Sequence, residues 1–154
     1  MDNARRQLVD NVRIAIANLK TEEEILREAA SFIDQFSDGF NWTGFYMLRD
    51  GVLEVGPYFG PVTEHVRIEL NRGICGAAAS QKKSVIVDDV KTDSRFLACS
   101  LSTRSEIVVP LMDGETVLGE IDIDSDQPGH FTPDDRTMLE EIARIVVDRL
   151  TALK

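Results

Sequence analysis

Glu106-Ile107-Val108-Val109-Pro110-Leu111-Met112, a turn around Asp113-Gly114, and Thr116-Val117-Leu118-Gly119-Glu120-Ile121-Asp122-Ile123-Asp124 form the stretch that decides how this chain folds. Successive side chains of a strand point to opposite faces. Val117, Gly119, Ile121 and Ile123 then share an apolar face, while Leu118, Glu120, Asp122 and Asp124 share the other. On the preceding strand Ile107, Val109 and Leu111 form the apolar side and Glu106, Val108 and Pro110 its reverse. A two-residue turn at Asp113-Gly114 would set Glu106 against Ile121 and mix the faces. A three-residue loop, with Gly114 left-handed and a bulge beside it, keeps one face apolar and one acidic. The reading therefore predicts the three-residue loop, with Glu106, Asp122 and Asp124 on the side away from the helices.

Working outward, Leu8, Val12, Ile16 and Leu19 recur at helical spacing. Thr21 followed by Glu24 reads as a capping box that opens a second helix with Ile25, Ala29, Phe32, Ile33 and Phe36 on its stripe. Trp42 to Leu48 and Val52 to Tyr58 flank Asp50-Gly51, a hairpin signal. Val66, Ile68 and Leu70 alternate as a third strand, Arg72-Gly73-Ile74-Cys75-Gly76 enters a short Ala-rich helix, and Ser84 to Val87 is a short strand. A polar, irregular stretch from Asp88 to Ser105 contains Cys99. Thr132-Pro133-Asp134-Asp135 opens a last helix, with a capping hydroxyl, Pro at the first helical position and acids in the first turn. The order α-α-β-β-β-α-β-β-β-α predicts an α/β (α+β) domain over residues 1–154. It has one antiparallel sheet of about six strands and N- and C-terminal helices on one face. The other face is left for loops and a ligand pocket.

The chain has 154 residues, 43% hydrophobic, and a formal net charge of −10. That acidity argues against nucleic acid as a partner and against docking on an anionic membrane. No apolar run is long enough to span a bilayer. Residues 1–20 mix charges with short apolar groups and do not read as a signal peptide, so the expected location is cytoplasmic. The two cysteines, Cys75 and Cys99, read either as inert buried thiols or as a redox pair. Two cysteines with two distant histidines, His65 and His130, give no thiolate zinc site, and the expectation is no metal.

Clustered carboxylates raise one another's pKa, most strongly when desolvated. Glu106, Asp122 and Asp124 would suit an ammonium group, or would keep one carboxyl protonated as a general acid; the plain alternative is a wet strand surface. Trp42 and Tyr46 share one face of their strand, as core or as an apolar wall beside a cation. His65 reads as a surface strand histidine or a base, and His130 as structural. Cys75, at a helix entry, is where the dipole would lower a thiol's pKa.

Taken together, Asn41-Trp42-Thr43-Gly44-Phe45-Tyr46, Gly73-Ile74-Cys75-Gly76, Cys99 followed by Ser105 to Leu111, and Gly119 to Ser125 resemble the free methionine-(R)-sulfoxide reductases, which are GAF-domain enzymes. The likeness runs from about Leu19 to Leu150. It implies that Cys99 is the nucleophile and that Cys75 matches a second family cysteine. It also implies that Glu106, Asp122 and Asp124 hold the substrate's ammonium and assist the sulfoxide oxygen, and that Trp42 and Tyr46 line the side-chain pocket. Family members need no metal or organic cofactor, recycle with thioredoxin and are often homodimers. One position departs: where the family commonly has a further, resolving cysteine, this chain has His65. Cys75 is then the one other thiol, and is expected to resolve the oxidised Cys99. Two rivals are a non-enzymatic GAF sensor for a small amine-bearing or nucleotide ligand, and a protein whose thiols report oxidant without a substrate.

Overall fold

The computed structural model describes residues 1–95 and 102–154. Helices α1 (Asn3–Ile16) and α2 (Glu22–Asp34) precede strands β1 (Trp42–Arg49), β2 (Val52–Phe59) and β3 (Arg67–Glu69). Helix α3 (Gly73–Gln81), strand β4 (Val85–Val87), a 3-10 turn at Val90–Thr92, strands β5 (Ser105–Asp113) and β6 (Thr116–Ser125) and helix α4 (Pro133–Ala152) follow. The strands form one six-stranded sheet in the order β3-β2-β1-β6-β5-β4, every pair antiparallel. This is the expected α/β architecture, with α3 on the face opposite the terminal helices.

Caps fix the helix ends. Thr132 and Asp135 make the reciprocal capping box of α4. At α2, the Thr21 hydroxyl accepts from the Glu24 N–H at 3.2 Å, but the Glu24 carboxylate returns to that hydroxyl rather than to the backbone. Arg149 on α4 donates to the carbonyls of Ile16 and Leu19, satisfying acceptors left over where α1 ends. Arg5 of α1 reaches Asp135 at 2.8 Å, tying the terminal helices together.

The hydrophobic pattern placed the core as expected. Phe45, Met47, Ile107, Val109, Leu111, Ile121 and Ile123 are buried with residues of α1, α2 and α4 in one cluster. Between β5 and β6 the register is Glu106↔Asp124, Ile107↔Ile123 and Val109↔Ile121, so like meets like on both faces. The device that sets it differs from the expected three-residue loop. Asp113 pairs with Thr116, leaving a two-residue turn at Gly114-Glu115, and the register shifts by one residue at Leu118. Gly114 alone in this turn has positive φ, +60°, which suits a type II′ turn. That turn alone would again mix the faces, and the bulge at Leu118 restores them. Its local effect is to reverse Val117 and Leu118: Leu118 packs on the helix side and Val117 on the other. The Asp50-Gly51 hairpin is as read, with both residues at positive φ and Arg49 paired with Val52.

Candidate active site

The second face of the sheet is a grid of three strands. Across β1, β6 and β5 the rows read Trp42–Asp124–Glu106, Gly44–Asp122–Val108 and Tyr46–Glu120–Pro110. Aromatic and acidic residues therefore do share a face. Glu106 is 4% exposed, Glu120 0%, Asp122 1% and Asp124 2%, so the wet-surface alternative fails. Trp42 stacks on Tyr58 at 5.0 Å and on Tyr46 at 6.0 Å between ring centres. Gly44 makes this stack possible: a Cβ there would lie 2.4 Å from Tyr58 Cβ and 2.9 Å from Trp42 Cη2. The indole N–H donates to the Pro61 carbonyl at 3.1 Å and the Tyr46 hydroxyl to the His65 carbonyl at 2.8 Å. Both bonds anchor the connection from β2 to β3 over the acids.

Helix α3 lies across this face and brings Cys75 down onto it. The Cys75 sulfur and one carboxylate oxygen each of Glu106 and Asp122 lie within 4.8 Å of one another. A small recess above them is lined by His65, Ile68, Gly73, Ile74, Cys75, Glu106 and Asp122. No N–H or hydroxyl donor of a described residue reaches either oxygen of Glu120 or Asp122. What faces them is the Cys75 thiol and, for Asp122, the Glu106 carboxyl.

Electrostatics follow from burial. Desolvation pushes the Glu120 carboxyl well above the ordinary glutamate range, with Asp122 adding to the effect. Desolvation also raises Asp122. Cys75 occupies the third position of α3, where the dipole was expected to lower its pKa. The reverse holds: burial, then the charges of Asp122, Glu120 and Glu106, push it well above the usual thiol value. Carboxylates in contact outweigh the fractional charge of a helix end.

A family model described as GAF domain matches residues 20–150. This chain belongs to the GAF domain family. It is 38% identical over 102 residues to the free methionine-R-sulfoxide reductase of Escherichia coli, a match covering 66% of this chain and 61% of that protein. It is 40% identical over 111 residues to the enzyme of the same name from Saccharomyces cerevisiae, covering 69% and 61%. The chain thus spans about three-fifths of the length of these relatives. It superposes with a TM-score of 0.93, at 31% identity over 99% of this chain and 93% of the other, on free methionine-R-sulfoxide reductase from Neisseria meningitidis in complex with its substrate. The motif resemblance to this group of GAF domains is borne out.

Within this GAF domain, Trp42, Tyr46, Cys75, Glu106, Asp122 and Asp124 come together as one cluster of buried groups. Cys99 lies outside the described residues. His65 is not the surface strand residue expected: it precedes β3, is half-buried and lines the recess. His130 is structural, as read, edge-on to Phe40 and Phe131. Glu120 stands in the same buried face but was left out of the expected site, although the alternation that picked Asp122 and Asp124 also reaches it. No helix among the described residues is long and apolar enough to cross a membrane.

Proposed function

We propose that this GAF domain reduces the R-sulfoxide of free methionine to methionine, with Cys99 as nucleophile. The observation that carries the reading is the buried acid face. Glu106, Asp122 and Asp124 are withdrawn from water beside an aromatic wall, an arrangement that suits one ligand carrying both an ammonium and a thioether-like side chain. The named relatives support the same choice over a sensor. Glu106, Asp122 and Asp124 hold the ammonium, Trp42 and Tyr46 pack on the side chain, and a protonated carboxyl among the acids, Glu106 or Asp124, hydrogen-bonds the sulfoxide oxygen.

The Cys99 thiolate attacks the sulfoxide sulfur. The oxygen passes to the cysteine, giving methionine and a Cys99 sulfenic acid. The Cys75 thiol then condenses with it, forming a disulfide and releasing water, and thioredoxin, an external dithiol, reduces the disulfide. Cys75 starts as a thiol in a site that opposes its ionisation, so resolution needs a base; Asp122 stands beside it to take the proton. The chemistry calls on no metal or organic cofactor. A homodimer and a cytoplasmic location, where thiols stay reduced, complete the reading. The test is purified protein with free methionine-R-sulfoxide and a dithiol: stoichiometric methionine supports it, and no turnover with either dithiothreitol or thioredoxin refutes it.

A further inference from the structure

We propose that Cys75, Glu106 and Asp122 form a binding site for a thiophilic divalent cation of the Zn2+ class. Their donor atoms already lie within 4.8 Å of one another. Around a tetrahedral zinc, with bonds of about 2.3 Å to sulfur and about 2.0 Å to oxygen, donors sit roughly 3.5 Å apart. Closing the set takes about 1 Å of side-chain movement. Among the described residues, what faces the oxygens of Asp122 is the Glu106 carboxyl and the Cys75 thiol, both members of the donor set, so no outside group opposes it.

Two further observations point to a cation. Glu120 is outside the donor set and fully buried, and among the described residues its oxygens face the Cys75 thiol with no cation beside them. Among the described residues lining the recess there is no Lys or Arg to balance these acids. A buried carboxylate with no cation to balance it is costly, and a divalent ion would offset several at once. The sulfur selects the class of ion: a thiolate with two carboxylates suits zinc or cobalt, whereas magnesium and calcium prefer oxygen alone. On binding, a metal–sulfur bond replaces the S–H bond and the proton leaves to solvent. An occupied site withdraws Cys75 and two acids from the proposed chemistry, so the ion would inhibit rather than assist; this consequence, unlike the binding, rests on the proposed function.

The probe is Co2+ added to the reduced, chelator-treated full chain without oxygen. The expected result is a near-ultraviolet thiolate-to-cobalt charge-transfer band that saturates at one equivalent and is displaced by Zn2+ but not by Mg2+. The band should persist in Cys99→Ser and vanish in Cys75→Ser. Affinity should fall at least tenfold in Asp122→Asn and in Glu106→Gln, which keep shape and decide the matter should Cys75→Ser fail to fold. A band that survives Cys75→Ser, a band that needs Cys99, unchanged affinity in both carboxylate variants, or no binding would each overturn the site. None of these readings depends on activity, so failure of the proposed reductase function would leave the binding result standing.

Discussion

Glu120→Gln should make the protein's stability less sensitive to rising pH. Glu120 is 0% exposed and its oxygens face the Cys75 thiol rather than a cation, so burial holds its folded-state pKa well above the ordinary range. A raised acid pKa means that the native state binds the proton more tightly than the unfolded chain does. The associated stability is fully present below the unfolded pKa, about 4.3, and is lost as pH rises toward the folded value. While the folded carboxyl stays protonated, the loss is about 1.4 kcal/mol per pH unit. Glutamine keeps the shape and removes the titration; its own unpartnered amide costs roughly 1–3 kcal/mol at every pH alike. The assay is urea unfolding of both proteins from pH 5 to 7, with reductant and chelator present. The difference, variant minus wild type, should move steadily in the variant's favour as pH rises, by at most about 1.4 kcal/mol per unit. Parallel stability curves would refute the claim that Glu120 is a buried acid held protonated by its surroundings.

Gly44→Ala should destabilise the fold by about 1–3 kcal/mol through overpacking. Because its new Cβ meets Tyr58 and the only tryptophan, it should also change the Trp42 emission; an unaltered spectrum would contradict the stacking. Ile121→Ala, at a fully buried core position, should cost about 2–5 kcal/mol in denaturant unfolding, and a loss below 1 kcal/mol would mean that this face is not the core. In quenched single-turnover assays Cys99→Ser should release no methionine, whereas Cys75→Ser should release about one per chain and stop before disulfide formation. The opposite pattern would exchange the two roles.

The fold was legible because its main signal is periodic. Ile107, Val109, Ile121 and Ile123 announce a buried face from their alternation, and Thr132-Pro133-Asp134-Asp135 announces a helix start from capping chemistry. The hairpin turn was not legible. A three-residue loop and a two-residue turn with a bulge at Leu118 both put Ile107, Val109, Ile121 and Ile123 on one face, so the pattern cannot separate them. Alternation likewise put Glu106, Asp122 and Asp124 on one face but is silent on whether water covers it. That depends on α3 and the chain before β3, which arrive from elsewhere in the sequence. The same long-range packing reversed the expectation for Cys75, since it buries the thiol and sets it against carboxylates supplied by β5 and β6. It also brought His65 to the recess.

The central claim is that the buried acids select a free ammonium, and the ratio of kcat/KM for free methionine-R-sulfoxide to that for its N-acetylated form tests it most directly. Removing the ammonium forfeits a charged hydrogen bond worth roughly 1.5–3 kcal/mol, a loss of about 10- to 150-fold. Wild type should show that preference, and Asp122→Asn should lose most of it by slowing the free substrate alone. Equal kcat/KM for the two substrates in wild type, or a preference untouched in Asp122→Asn, would contradict the account.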